Sequence, residues 1–444
     1  MTTHDYDSAT LRPGQDGYAE ELAGFQTGYV QRPDVIRAAA RADDVVAAVR
    51  YAAAAGLPVG VHATGHGLPG DTDGGVLVTT RRLDEVTVDP VARTARIGAG
   101  ARWGAVAEAA AAHGLAPLSG SAPTVGAVGY VLGGGLGILA REYGYTADHV
   151  RSLDVVTADG TARHVTAGSD PGLYWGLLGG GPGLAVVTAL EVDLVPVTRL
   201  YGGFLAHDGR ATDPAALLAA YTRWAATVPA ALTSSVAALV YPDLPALPGH
   251  LRGQYVVSVR VAFTGSAEEG ERLVAPLRAA LGPAVTDTLR EMPYAESPTI
   301  HNDPEFPHAY YGDSVFLSEL DADAVAEVFA RCGPAADAMH VVQLNHLGGA
   351  LARPAPNAVP HRDAAWLLRI LSPLDGSSEE AARAHQAEAF GAVAEYSLGR
   401  SLNFAFGGGE RTEGLYDADT RKRLADLKAA YDPANLFRRG CDLG

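Results

Sequence analysis

The sequence predicts an α+β protein with more than one domain. Three observations carry this. The chain has 444 residues, against a prior of roughly 150 per domain. Helix-period stretches and short β-branched runs share its first half. The pattern then changes character near Arg199.

In VIRAAARADDVVAAVRYAAAAG, Val45, Val46, Val49 and Ala53 fall on one helical face and Gly56 stops the helix. The helix feeds a short strand, LPVGV. GGVLVTT, VTVD and RTARIGAG read as strands, with a turn at Asp89-Pro90. WGAVAEAAAAHG is a helix opened at Trp103 and closed by Gly114. RSLDVVTADGTARHV is a hairpin turning at Asp159-Gly160, and a long strand is expected from Leu184 to Val197. Pro33 to about Val197 thus forms one α+β unit. Beyond Arg199, strand runs such as VVSVRVAFTG and VVQLNHLGGA alternate with helical ones such as EEGERLVAPLRAALG, a sheet backed by helices. The last helix places Leu424, Leu427 and Tyr431 on one side and ends at Asp432-Pro433, so it is expected to dock on structure already built.

Composition bounds the function. A formal net charge of −17 argues against a phosphate-backbone partner, so no nucleic acid is expected. No apolar run long enough to span a bilayer is present, and no membrane association is expected. MTTHDYDSATLRPGQDGY is polar and acidic without an apolar core, so no targeting signal is read and a cytoplasmic location is expected. Cys332 and Cys441 are the only cysteines, too few for a disulfide framework or a cysteine metal site, and each reads as a small hydrophobe. No metal is expected.

Two glycine clusters demand a reason, ATGHGLPG (Ala63 to Gly70) and SGSAPTVGAVGYVLGGGLG (Ser119 to Gly137). Glycine inside regular structure costs about 0.5–1 kcal/mol relative to alanine. Close approach of free backbone N–H groups to a pyrophosphate would justify that density. The two lysines of the chain, Lys422 and Lys428, do not follow a glycine, which excludes a Walker loop, and GGGLG lacks the G-x-G-x-x-G order. No H-E-x-x-H or G-x-S-x-G motif occurs.

With these motifs in place, the chain resembles the FAD-linked oxidases of the vanillyl-alcohol-oxidase and p-cresol-methylhydroxylase type, in the berberine-bridge-enzyme-like branch. The resemblance runs from about Arg32 to the C-terminus. RPDVIRAAARADDVVAAVRYAAAAGLPVGVHATGHG matches the family's opening helix, strand and pyrophosphate loop. That loop usually reads Arg-Ser-Gly-Gly-His, and here it is His62-Ala63-Thr64-Gly65-His66. YWGLLGGGPGLAVVTALEVDL and the closing YDPANLFR also follow the family, with Pro182-Gly183-Leu184 departing from it.

The resemblance implies an FAD-binding domain of the p-cresol-methylhydroxylase type over 1-199. It further implies an α+β substrate domain over 200-399, an antiparallel sheet backed by helices, and a return segment over 400-444. It implies FAD contacts at His62, Ala63, Thr64, Gly65, His66, Gly67, Ser121, Thr124, Val125, Gly126, Gly129, Tyr130, Gly134, Gly137, Val187, Asn403 and Asn435. His66 takes the position that bonds the flavin 8α-methyl. The cysteine that makes a second bond in many members is replaced by Ala122, so one histidyl link is the most this chain can make. His62, in place of the motif's arginine, is expected to present backbone or ring to the pyrophosphate. Asn403 is expected to contact the isoalloxazine, and Val125 to favour oxygen access.

Alcohol-oxidising members carry Tyr-x-Asn-Phe/Tyr near the C-terminus, the tyrosine aiding proton removal. Here the segment is Ser401-Leu402-Asn403-Phe404. A base must come from elsewhere, and Tyr311 and His361 are the candidates taken from a set that includes His301, His308, Tyr310 and His346. The expected activity is an O2-using oxidase of a small secondary-metabolite substrate, with hydride passing to flavin N5 and H2O2 released. Two alternatives stand beside it: an oxidase of reduced quinone-type drugs in antibiotic resistance, and a redox-neutral flavin-containing cyclase or drug-binding protein.

Overall fold

A computed structural model describes residues 9–68, 70–243, 245, 249, 251–407 and 412–438; Cys441 lies outside them. Among the described residues three large sheets and a two-stranded one, Gln31–Arg32 with Thr72–Asp73, organise the chain. The first is small and mostly parallel, in the order Ala9–Leu11, Val35–Ala38, Val76–Thr79, Val59–His62. Its three parallel strands are short and apolar, as strands covered on both faces must be. Helix Ala42–Ala55 covers it and ends at Gly56, which takes a left-handed φ of 66°.

Two expectations for this segment are corrected. VIRA is a strand, because Val35 and Ile36 pair in parallel with Val76 and Leu77. Asp44 accepts from the Ala40 and Arg41 amides at 3.0 and 2.9 Å and starts the helix at Ala42. The buried stripe is therefore Val45, Ala48, Val49 and Ala52, while Ala53 is exposed and Val46 only half-buried.

The second sheet is antiparallel, in the order Ala162–Val165, Val150–Val156, Val186–Asp193, Thr94–Gly98, Val86–Asp89. The predicted hairpin is its edge. The expected long strand is shorter than Leu184 to Val197, because Val195 leaves the sheet and exchanges backbone hydrogen bonds with Ala116. Helix Trp103–Ala111 appears where its spacing predicts, with Trp103 and Val106 in the core.

The third sheet has nine strands, all antiparallel, drawn from Arg199–Asp208 through to Ser397–Gly399. Its centre runs Tyr255–Phe263, Leu232–Val240, Val341–His346, Trp366–Pro373, Tyr310–Leu317. Helices Pro214–Ala225, Ala267–Leu281, Ala322–Arg331 and Glu379–Gly391 cover one face, burying Leu218, Trp224, Leu277, Phe329 and Ala389. Cys332 is buried there, and burial pushes its thiol up to about 12, which suits a small hydrophobe. The other face of the sheet looks onto a large cavity. The fold is thus α+β, with an antiparallel sheet backed by helices.

The last helix, Ala418–Tyr431, docks on Pro171–Gly180. A Cβ at Gly180 or Gly176 would strike Leu424 or Leu427, and the Tyr431 hydroxyl donates to Asp170 at 2.7 Å. No helix among the described residues is long and apolar enough to cross a membrane.

Candidate functional site

The cavity encloses about 1530 Å3 between the glycine clusters and the open face of the third sheet. Ordinary small-molecule sites take about 300–1,000 Å3. This one has room for a dinucleotide and a substrate together.

One wall is the loop that follows strand Val59–His62. His62, Ala63, Thr64, Gly65, His66 and Gly67 all line the cavity. The N-terminal segment braces the loop from outside, the Phe25 and Gln26 amides donating to the Thr64 and Gly65 carbonyls at 2.9 and 3.0 Å. Gly65 has φ of 70°, and a Cβ there would lie 2.7 Å from the His62 ring. That ring is wedged beneath Gly24 and Gly65, only 2% of His62 being exposed. Neither of its nitrogens has a hydrogen-bond partner among the described residues, and burial pushes it down to about 4. His62 is therefore a neutral prop under the loop.

Around the second cluster, Ser121, Val125, Gly126, Gly129, Tyr130, Gly137 and Val187 line the same cavity. Cβ atoms at Gly67 and Gly129 would meet nothing within 4 Å, so open space is kept at both glycines. Gly133 is obligatory for another reason: a Cβ there would lie 2.5 Å from the Asn403 amide. Asn403 lines the cavity, but its side chain is already occupied. Its Oδ1 accepts from the Gly135 amide at 2.8 Å and its Nδ2 donates to the Tyr130 carbonyl at 3.0 Å. It braces the glycine loop. Gly134 faces Val359 and lies off the cavity, which corrects its assignment. Asn435 is corrected too: it sits exposed in a turn at φ of 49°. Its neighbour Phe437 reaches the cavity, and the Leu436 carbonyl accepts from the Val59 amide at 2.8 Å.

His66 closes this wall of the cavity. Its ring stacks on Phe25 at 3.9 Å and 11°. Nδ1 contacts the Thr64 hydroxyl at 2.9 Å, and Nε2 the Thr124 hydroxyl at 3.2 Å. Thr124 thus touches His66 while lying off the cavity lining. Burial, reinforced by Arg102 and His308, pushes the ring down to about 3, so it is neutral and keeps a lone pair at physiological pH. The Tyr310 hydroxyl donates to the His66 carbonyl at 2.7 Å and fixes the loop from the opposite side.

The third sheet sorts its residues by strand alternation. Tyr310 faces the cavity and Tyr311 the helices. Tyr311 is 1% exposed, with its carbonyl near Gln386 and its ring 5.8 Å from the Arg383 guanidinium. His361 also lies off the cavity, in a turn at φ of 53°, its Nε2–H donating to the Gly414 carbonyl at 3.3 Å. The assignment of these two as base is corrected by where their side chains point. Ser401 is buried away from the cavity as well. The same alternation puts Arg260, Gln343, Asn345 and Arg369 on the cavity face, with His301, Asp303 and His308 from the loop before Tyr310. Sequence reasoning missed Arg260, Gln343 and Arg369. Their signal was polar residues two apart in apolar strands, Ser258 and Arg260 in VVSVRVAF and Gln343 and Asn345 in VVQLNH, with Arg369 a single charge inside WLLRIL.

Sheet order, a dinucleotide-sized cavity and a glycine cradle with a neutral imidazole in its wall define a class of cofactor-binding oxidoreductase. Comparison with known proteins agrees. The FAD binding domain family matches residues 33–166. (R)-6-hydroxynicotine oxidase of Paenarthrobacter nicotinovorans is 29% identical over 453 residues, spanning 98% of this chain and 96% of that protein. The solved 6-hydroxy-D-nicotine oxidase of Arthrobacter nicotinovorans superposes with a TM-score of 0.86 at 25% identity, covering 98% of both chains. A glucooligosaccharide oxidase of Acremonium strictum, described with a 6-S-cysteinyl, 8α-N1-histidyl FAD, shares the fold at a TM-score of 0.84 and 21% identity over 97% of this chain and 95% of its own. Over nearly its whole length the chain is similar to FAD-linked oxidases of the vanillyl-alcohol-oxidase and p-cresol-methylhydroxylase superfamily, and residues 33–166 match the FAD binding domain. It is an FAD-dependent oxidoreductase.

Proposed function

We propose that the chain is an O2-using oxidase of a small secondary-metabolite substrate, with its FAD joined covalently through His66 alone. The observation that carries this reading is the state of His66: neutral, with a lone pair, held between two threonine hydroxyls in the wall of a glycine-lined cavity. Ala122 lines the same cavity and carries no nucleophile, which supports a single link. Residues 62–67 and 120–137 would hold the pyrophosphate and ring system, with open space kept at Gly67 and Gly129. Bound FAD supplies a two-electron acceptor that O2 can reoxidise, with release of H2O2.

His308 is the proton acceptor of this reading. Its Nδ1 lies 2.9 Å from the Phe306 carbonyl, which can only accept, so Nδ1 carries the hydrogen and Nε2 the lone pair. His308 lines the cavity beside Phe25 and Tyr310. Val125 on the opposite wall supports oxygen access.

Acid precipitation of the purified protein tests the covalent link: a yellow pellet is expected from the natural chain, and a yellow supernatant from His66→Ala. Colour in the supernatant of the natural chain would remove the bond. Peroxide release under air, measured with candidate donors, tests the oxidase. For His308→Gln a fall in kcat of about 10²–10⁴ is expected with normal flavin content. An unchanged kcat would remove His308 as base.

A further inference from the structure

The open face of the third sheet holds two guanidiniums whose charge the one nearby carboxylate, Asp303, offsets only in part. Arg260 sits at the middle of Tyr255–Phe263 and Arg369 at the middle of Trp366–Pro373. Gln343 is paired directly with Arg369 in the sheet register. Arg260 donates to Gln343 Oε1 at 3.3 Å, to His301 Nδ1 at 3.4 Å and to the His301 carbonyl at 3.3 Å. Arg369 donates to the same Gln343 oxygen, and its guanidinium lies 4.4 Å from the centroid of the Phe404 ring. Two like charges therefore share one neutral acceptor, and neither makes an ion pair with a carboxylate among the described residues.

Both guanidiniums stay protonated. Burial pushes Arg369 down only to about 10, and Arg260 is lowered for the same reason. His301 is neutral, pushed down by burial and by Arg260. Asp303 is the one inner carboxylate, and the Ser121 hydroxyl donates to it. Asp337 and Asp375 also line the cavity but are exposed to solvent, and Arg400 is paired with Asp313. Among the described residues the inner site thus keeps one positive charge in excess. An uncompensated buried charge is unfavourable, and a ligand anion would remove that penalty.

The amide of Gln343 gives the direction. Because its oxygen is held by two guanidiniums, its Nε2 donors point away from them, and they have no partner among the described residues although Gln343 is 2% exposed. Arg260, Arg369 and Gln343 Nε2 therefore present three donor groups to one region. Asn345 Oδ1, likewise unpartnered among the described residues, offers an acceptor beside them. Leu136, Ile138, Leu239, Met339 and Leu371 make other parts of the lining apolar.

We infer that the substrate carries a planar oxyanion, a carboxylate or a phenolate, on an apolar body, and that Arg260, Arg369 and Gln343 bind that anion. The inference rests on the reading of this cavity as the substrate side of the FAD site. Guanidinium and amide donors match the lone pairs of a planar oxyanion, and the Phe404 ring holds the Arg369 fork in place.

Titration of the purified yellow holoenzyme, followed by perturbation of the flavin absorption, tests it with benzoate, benzamide, benzylamine and 4-nitrophenolate as probes. Benzoate or 4-nitrophenolate is expected to bind tighter than benzamide by about tenfold or more, and the stronger of the two identifies the anion. Arg369→Gln is expected to abolish that preference while leaving benzamide unchanged, and Arg369→Lys to restore part of it. Gln343→Glu keeps the shape and supplies the missing negative charge within the fold. It is expected to lose the preference for benzoate over benzamide, with benzylamine bound no better than by the natural chain. Equal affinity for benzoate and benzamide in a yellow protein would overturn the anion site and leave the FAD reading intact; a colourless protein would overturn that reading first. A lowered flavin midpoint potential in Arg369→Gln with unchanged benzoate binding would assign the charge to the cofactor and overturn the inference.

Discussion

His62 and His66 share one loop and have different surroundings. The first is a buried neutral prop without a hydrogen-bond partner among the described residues, and the second is held by two hydroxyls and a stacked ring. Tyr310 and Tyr311 differ as sharply for a simpler reason, since adjacent strand residues point to opposite faces. Tyr310 holds the His66 carbonyl, and Tyr311 packs under helix Glu379–Gly391. For Tyr311→Phe, which keeps the backbone carbonyl and the ring, the expected result is an unchanged kcat. A tenfold fall in kcat with normal flavin content would return Tyr311 to the list of bases.

At the scale of elements, the C-terminal helix does more than cap the fold. Lys428 donates to Asp432 at 2.6 Å and to the Gly183 carbonyl at 3.0 Å, and both side chains are almost fully buried. Asp432 in turn accepts from the Leu436 and Phe437 amides at 2.7 and 2.8 Å, which sets Phe437 against the cavity. Lys428→Met would leave a buried carboxylate without its cation, and a loss of about 3–5 kcal/mol is expected in denaturant unfolding. A loss under 1 kcal/mol would mean that solvent reaches Asp432. The cavity strands obey a related logic: polar residues alternate with apolar ones because one face meets helices and the other meets ligand.

At the scale of the whole molecule, buried neutral histidines set an acid limit. Burial, the largest cause for each, pushes His62 and His340 down to about 4 and His301 and His346 to about 3. The unfolded chain binds protons at these rings below about 6.5, whereas the folded chain does not until pH approaches the lowered values. Stability is thus fully present above pH ~6.5 and falls as pH drops, by up to about 1.4 kcal/mol per unit for each ring. Urea midpoints at pH 7.0, 6.0 and 5.0 check this, before most carboxylates titrate. His340→Gln is expected to flatten the slope, and an unchanged slope would show that His340 does not carry its share.

Much of the fold was legible because it rests on local periodicity and turn chemistry. The Gly56 stop, the Asp159-Gly160 hairpin and the docking of Leu424 and Tyr431 all followed from spacing. VIRA escaped because a four-residue apolar run fits strand or helix until its parallel partner, Val76–Thr79, is known. The glycine cradle was legible through the cost of glycine and the resemblance of its motifs. Asn435 and Gly134 escaped because a motif fixes where the chain passes and not which side chain faces the ligand.

By itself the sequence determined the α+β class, the glycine loops and the FAD-dependent chemistry, since these depend on short-range patterns and ordered motifs. Only the tertiary structure decided which residues meet across the cavity. It set Tyr311 and His361 aside and gathered Arg260, Gln343 and Arg369 from three strands far apart in the chain. The reason is physical: a charge excess belongs to a place in space, and register between distant strands creates that place.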